Sequence, residues 1–374
     1  MHVIQLAALC KVPDLHSRGY QRALSPLLQD LGCLEHDGVF IESLGQSVQG
    51  TVSVVVADNL AAHSLEGFVQ SFRAGYVYRF CKATREEIQS SAVGDGEFTP
   101  RTKASHDHDL QDVLQGDGHS QFGVQRDCVL RESLQCFHTI TGFPPDVLHD
   151  LFEGIVPVEL ALCIQEMMLK YFTLEYLNKK IVTFPYQHAD KTDKPHPIPK
   201  NFARKKTIGG NGHENLTLLR LLPLMIGNMV PEEDGFWNVL MDLKEVVEVV
   251  LSPKFDEDSI QYLQTKIQDH RQILQEVFPE FRLFPKHHYL EHYPDLIRCF
   301  GPLVHLWTMR FEGKHRFFKR VIYDTQNFKN VLKTLATRHQ HVVAYFLNTP
   351  SFFKPHQQIT DVSSVLVSSL PEVA

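Results

Sequence analysis

The sequence contains no unbroken apolar run of roughly 18 residues, the length a membrane-spanning helix needs. It has no leader with a charged start, an apolar middle and a small-residue cleavage site, so neither secretion nor membrane insertion is expected. A Gly-rich phosphate loop, a nucleophile elbow and a His-Glu-x-x-His motif are all missing, and the enzyme classes that depend on them gain no support. No solenoid-length repeat is present. The seven cysteines (Cys10, Cys33, Cys81, Cys128, Cys136, Cys163 and Cys299) are odd in number and form no Cys-x-x-Cys pair. That pattern fits reduced thiols in a nuclear or cytoplasmic protein. Overall positive charge is absent too. The net charge is −7, which argues against coating nucleic acid through bulk charge.

What is present is enough for a packed core. The chain has 374 residues, 43% of them hydrophobic and 10% aromatic, which allows two domains or one domain with a large insertion. The charge is unevenly spread. Residues 281–338 carry 11 Lys or Arg against 4 Asp or Glu, whereas residues 232–280 carry 4 against 12. A basic face beside an acidic one points to a local phosphate-binding surface.

The pattern reads as an α/β (α+β) chain. Residues 2–9 and the β-branched run 51–57 (TVSVVVA) have strand character, with a short strand at 39–41. A run as apolar as 51–57 suits a central strand covered on both faces, and an acid just past it sits where α/β folds keep their sites. Leu24, Leu27, Leu28 and Leu31 give residues 20–34 the spacing of an amphipathic helix. Residues 86–122 are polar and read as a loop whose His106, His108 and His119 are solvated. After Pro144-Pro145 the chain becomes helical: 150–171, a basic loop at 191–206, then 214–228, 234–251 and 258–278.

Three acids stand apart. Asp58 ends the β-branched run, Asp146 opens Asp146-Val147-Leu148-His149-Asp150, and Glu312 lies in the strip Trp307–Arg320 among basic and aromatic side chains. Phosphodiester chemistry with two metal ions about 4 Å apart needs carboxylates converging from separate elements, because Mg²⁺ demands hard oxygen ligands. Each acid also has a plainer reading. Asp58 fits a helix N-cap, Asp146 fits a helix start, and Glu312 with Arg316 fits an i,i+4 ion pair. His288 and His292 have the spacing of a metal pair. No third ligand lies near them in sequence, so packing and phosphate contact are expected there rather than zinc.

The segments Ala57-Asp58-Asn59-Leu60, Tyr78-Arg79-Phe80-Cys81, Asp146 to Gly154, Pro285 to Pro294 and Gly301 through Lys319 together resemble the transposases of cut-and-paste DNA elements, of the CACTA/En-Spm type. The resemblance runs from about His2 to Leu347. It implies an RNase H-like, three-acid (DDE) core interrupted by a large helical insertion. The implied boundaries are 1–85 for the first part of the core, 86–125 for a polar linker, 126–280 for the insertion, 281–350 for the rest of the core with its basic helix, and 351–374 for a disordered tail. Asp58 matches the second acid, Asp146 and His149 match an Asp-x-x-His motif, and Glu312 matches the final acid. Asp58 and Glu312 are then the expected ligands of Mg²⁺ or Mn²⁺. Arg310, Lys314, Arg316, Lys319, Arg320 and Lys286 are the expected contacts to DNA, the implied partner, and a homo-oligomer is compatible with the family. Two departures accompany the match. The strand bearing the family's first acid falls upstream of Met1, so catalysis is expected to be lost or impaired. Where relatives carry Cys-x-x-Cys, Tyr78 replaces the first cysteine, and a metal knuckle there lacks a ligand. The alternative is a non-enzymatic DNA-binding or protein-interaction scaffold.

Overall fold

Helices in this chain start where a short polar side chain can accept the first free backbone N–H groups. Asp58, Thr102, Thr173, Asn211, Asp234 and Asp256 each cap the helix that follows them. The computed structural model describes residues 4–71, 75–116 and 122–348. It divides into two compact units, one of residues 18–310 and the other of residues 1–17 with 311–374.

The larger unit is mainly helical. Helices Val156–Met168, Gly212–Ile226, Gly235–Val250 and Glu257–Val277 supply its principal core. Leu160, Ile164, Leu222, Leu240, Leu243 and Leu263 are all fully buried there. In Glu257–Val277 the buried residues Ile260, Leu263, Ile267, His270 and Leu274 recur at three- to four-residue spacing, so one stripe faces the core. A second cluster joins Leu28, Leu65, Leu130, Phe137 and Phe143.

The predicted helix at 20–34 falls inside Val12–His36, in which Gly19 (φ 73) breaks the helical path. Strand Val39–Ile41 is present and pairs antiparallel with Gln46–Val48, an exposed two-stranded hairpin. The expected central strand at 51–57 is not formed. The segment is extended, but its one backbone bond is Val55 N to Gly142 O (2.7 Å), and Val52, Val55 and Ala57 lean on the second cluster. Residues 4–9, expected as a strand, have no regular structure, and residues 1–3 lie outside the described residues. Among the described residues the chain is mostly helix with one small two-stranded sheet, a mixed fold with less strand than the sequence pattern implied.

The polar region is also more ordered over residues 86–116 than its composition implied. Lys103–Gln115 is a helix held by reciprocal Thr102 and Ser105 contacts. His106 is buried, not solvated, and burial pulls its pKa down to about 4. His108 is exposed and pairs with Asp112, while His119 lies outside the described residues.

The smaller unit contains most of helix Met309–Thr325 and the helix Val331–Asn348. Phe318 packs near His339 (ring centroids 6.1 Å), whose Nε2 lies 3.3 Å from Ile4 O. Residues 351–374, read as a disordered tail, lie outside the described residues.

Candidate functional site: an acid–imidazole cavity and a buried Cys-His-His cluster

Asp58 is both the end of the extended segment and the N-cap of helix Asn59–Glu66. Its Oδ1 accepts from Ala61 N at 2.8 Å. The plain reading of this residue therefore holds, yet the side chain also lines a cavity of about 560 Å³. His149, Glu153, Phe284, Lys286 and Tyr289 share that cavity, so segments far apart in sequence meet around it.

The residues from Leu148 to Ile155 form a π-helix, whose wider turn leaves carbonyls without their usual partners. Lys286 takes up that role: its Nζ donates to His149 O (2.5 Å) and Glu153 O (3.5 Å). Expected as a DNA contact, Lys286 in fact has its ammonium bound to backbone carbonyls. Asp146, just before the π-helix, is buried. It accepts from Leu148 N, from Thr308 N (3.0 Å) and Thr308 Oγ1 (2.5 Å), and from His149 Nδ1 (2.5 Å). Burial alone would raise the Asp146 pKa, but the bonds from His149 and Thr308 outweigh it and hold the carboxyl below its usual range. The same bond from His149 to Asp146 lifts the imidazole above its ordinary value. With Nδ1 committed, Nε2 is the free nitrogen, 3.7 Å from Glu153 Oε2. The arrangement can hold a proton on an oriented imidazole beside two carboxylates. Asp150 ties the floor together, accepting from Asn59 Nδ2 (2.6 Å) and Tyr293 Oη (3.1 Å), and burial pushes its pKa to about 6.

Glu312 belongs to the smaller unit, whereas Asp58 and Asp146 belong to the larger. Its exposed carboxylate pairs with His315 Nδ1 at 3.5 Å, not with Arg316 as the i,i+4 spacing implied. Arg310, Arg316, Lys319 and Arg320 are exposed, and Lys314 lies over the Phe317 ring (5.0 Å). Arg320 also approaches Asp324 at 3.6 Å.

The pair His288 and His292 does have a third partner. Cys81 Sγ lies 3.0 Å from His288 Nε2, and His292 Nε2 lies 3.2 Å from the same nitrogen. The three donor atoms all fall within 4.8 Å of one another and all three residues are buried. The two histidines are buried and packed as expected, and the addition to that expectation is a third potential ligand beside them. The cluster is a possible metal-binding group, formed from a cysteine and a histidine pair 207 residues apart. The histidine spacing was visible in the sequence, and so was Cys81 at the place where the resembled transposases keep Cys-x-x-Cys. Nothing in the sequence linked the two. Sequence reasoning also missed Thr308 and Glu153, which carry no motif of their own.

All seven cysteines are free, and no helix among the described residues is long and apolar enough to cross a membrane. No protein-family model and no curated protein matches this chain.

Proposed function

We propose that this chain is a transposase-derived protein of the CACTA/En-Spm type, built on an RNase H-like core, that binds DNA through the cations of helix Met309–Thr325. Its metal-dependent strand-transfer chemistry is impaired. The observation that carries this reading is the shared cavity: Asp58 and His149, singled out separately in the sequence, both line it with Lys286, and buried Asp146 is bonded to His149. The exposed Arg310, Arg316, Lys319 and Arg320 on one helix supply the phosphate-binding face. A Mg²⁺ or Mn²⁺ ion held at Asp58 would polarise a phosphate and activate water. Asp58 Oδ1 also accepts from Ala61 N, so this carboxylate has a structural task at the helix start whether or not an ion binds. That same observation favours the second reading, a non-enzymatic DNA-binding scaffold, wherever nicking is absent.

The test is duplex-DNA binding across a salt series. With four or five phosphate contacts the logarithm of affinity should fall with the logarithm of salt at a slope of about −4. Replacing Arg316, Lys319 and Arg320 together with Gln should flatten that slope by about 3. No binding at low salt, or a slope unchanged by the triple substitution, would overturn the DNA reading. A Mn²⁺-dependent nicking assay with Asp58→Ala as control separates the two readings. Activity abolished by that substitution supports residual chemistry, and no activity in the parent leaves the scaffold.

A further inference from the structure

We propose that Cys81, His288 and His292 bind a soft univalent cation, copper(I), in three-coordinate geometry, and not a tetrahedral zinc ion. The inference rests on this cluster being a metal centre at all, and concerns which ion it takes.

The donor atoms are already gathered. Ligands about 2.0 to 2.3 Å from one ion stand roughly 3 to 4 Å from each other, and the contacts of 3.0 and 3.2 Å at His288 Nε2 fall in or near that range. Hydrogen bonding accounts for them less well. His288 Nε2 has one lone pair in the ring plane, yet a thiol and a second imidazole both approach it. A cation between the three replaces both strained contacts with three bonds.

A fourth ligand is lacking. Among the described residues no further His, Cys, Asp or Glu joins the group. Around it stand aromatic rings: Tyr78 with its ring centroid 4.5 Å from that of His288, Phe98 at 5.0 Å, and Phe80 at 6.1 Å from His292. Tyr78 brings a neutral phenol where a second cysteine would have brought a negative charge. Glu291 lies 3.8 Å from His288 Nδ1, the nitrogen away from the cluster, and is engaged by Arg271 and by Val93 N. It makes no hydrogen bond to the ring and lies on the side of His288 away from the three donor atoms.

Charge then decides between ions. One thiolate and two neutral imidazoles carry a charge of −1. Zinc would leave a net positive charge at a site where all three ligands are buried, and an uncompensated charge there is costly. Copper(I) makes the centre neutral, matches a soft thiolate–imidazole set, and needs no fourth ligand. A second thiolate would restore neutrality for zinc, so Tyr78→Cys should switch the preference.

The experiment uses the full chain with the four exposed cysteines, Cys10, Cys33, Cys136 and Cys299, replaced by serine to remove adventitious thiols. Anaerobic titration against a chromophoric copper(I) chelator should show one bound equivalent, lost in Cys81→Ser. X-ray absorption of the loaded parent should show one sulfur and two nitrogens. Tyr78→Cys should raise zinc affinity by about a hundredfold or more and give cobalt(II) the absorption of a tetrahedral thiolate site, which the parent lacks. Should Tyr78→Cys fail to fold, the ligand count in the parent still decides. A four-coordinate copper centre, or a tetrahedral cobalt spectrum in the parent, overturns this proposal while leaving a metal centre in place. If neither ion binds the parent more tightly than Cys81→Ser, the metal centre itself is refuted.

Discussion

Arg79→Met should expose how the segment leading into Asp146 is held. Arg79 is buried, pairs with buried Glu66 at 2.9 Å, and donates to Phe143 O (3.1 Å) and Pro144 O (3.2 Å), just ahead of Asp146. The substitution leaves Glu66 without its cation and frees two carbonyls. Breaking a buried pair from one side costs about 3–5 kcal/mol. Each carbonyl left unpaired adds about 1–3 kcal/mol where water does not reach it. The loss should also depend on pH. Burial raises the Glu66 pKa to about 7 even with Arg79 opposing it. A carboxyl raised in the fold contributes stability that is fully present below its unfolded value of about 4.5 and is lost as pH rises through the folded value. Without Arg79 that upper limit moves higher, so the deficit relative to the parent should be greatest near pH 8. Towards pH 5.5, where Glu66 is largely neutral in both proteins, it should shrink to the carbonyl terms of about 2–6 kcal/mol. Urea unfolding followed by the fluorescence of Trp237 and Trp307, both in the larger unit, measures this directly. Adding Glu66→Gln to Arg79→Met should restore part of the loss at pH 8 and little at pH 5.5. A deficit below about 1 kcal/mol at pH 8, or one that does not change with pH, would refute the reasoning.

Three further outcomes follow from the same structure. Neither ring nitrogen of buried His106 has a hydrogen-bond partner among the described residues, so His106→Leu should stabilise the chain by about 1–3 kcal/mol in thermal or urea unfolding. With a folded pKa of about 4, His106 drains stability as pH falls from about 6.5 toward 4, and the variant should lose less in that window. Gly67 sits at φ +86, and a Cβ there would come within van der Waals overlap of Arg126 O, so Gly67→Ala should lower the melting temperature by several degrees, and an unchanged transition would contradict this. Asp146→Asn should lower the His149 pKa, because the bond and charge that raise it most are weakened while burial remains; NMR titration of the imidazole protons reads the shift, and an unmoved pKa would show that Asp146 does not control it.

The helices were legible because their signals are local. Leu24, Leu27, Leu28 and Leu31 mark one face, and Asp234 and Asp256 announce the helices after them. The run Thr51 to Ala57 misled because β-branched residues favour an extended backbone, but a strand also needs neighbours, and only Gly142 O supplies a bond. Helix Lys103–Gln115 was missed although Thr102 and Ser105 mark its start, since its polar composition hides a narrow buried stripe of His106, Asp109, Leu110 and Val113. At the candidate site, Asp58, Asp146 and His149 stood out as acids and a motif. Cys81 was marked by the resemblance, but its link to His288 and His292 was hidden, because a ligand set closed across 207 residues leaves no periodic trace.

Helix Pro285–Glu291 is only seven residues long, yet four consecutive side chains go to four different places. Lys286 reaches the carbonyls of His149 and Glu153, and His287 reaches Glu159. His288 meets Cys81, while Tyr289 meets His63 and the Val77 carbonyl. Inserting or deleting one residue here would turn every following side chain by about 100° and break several of these attachments together. Length variation should therefore be excluded from this segment in any lineage that keeps the fold, even where individual residues drift. Engineering of the cavity and of the Cys81–His288–His292 cluster shares the same constraint: the two can be altered by substitution, but neither can be moved without the other.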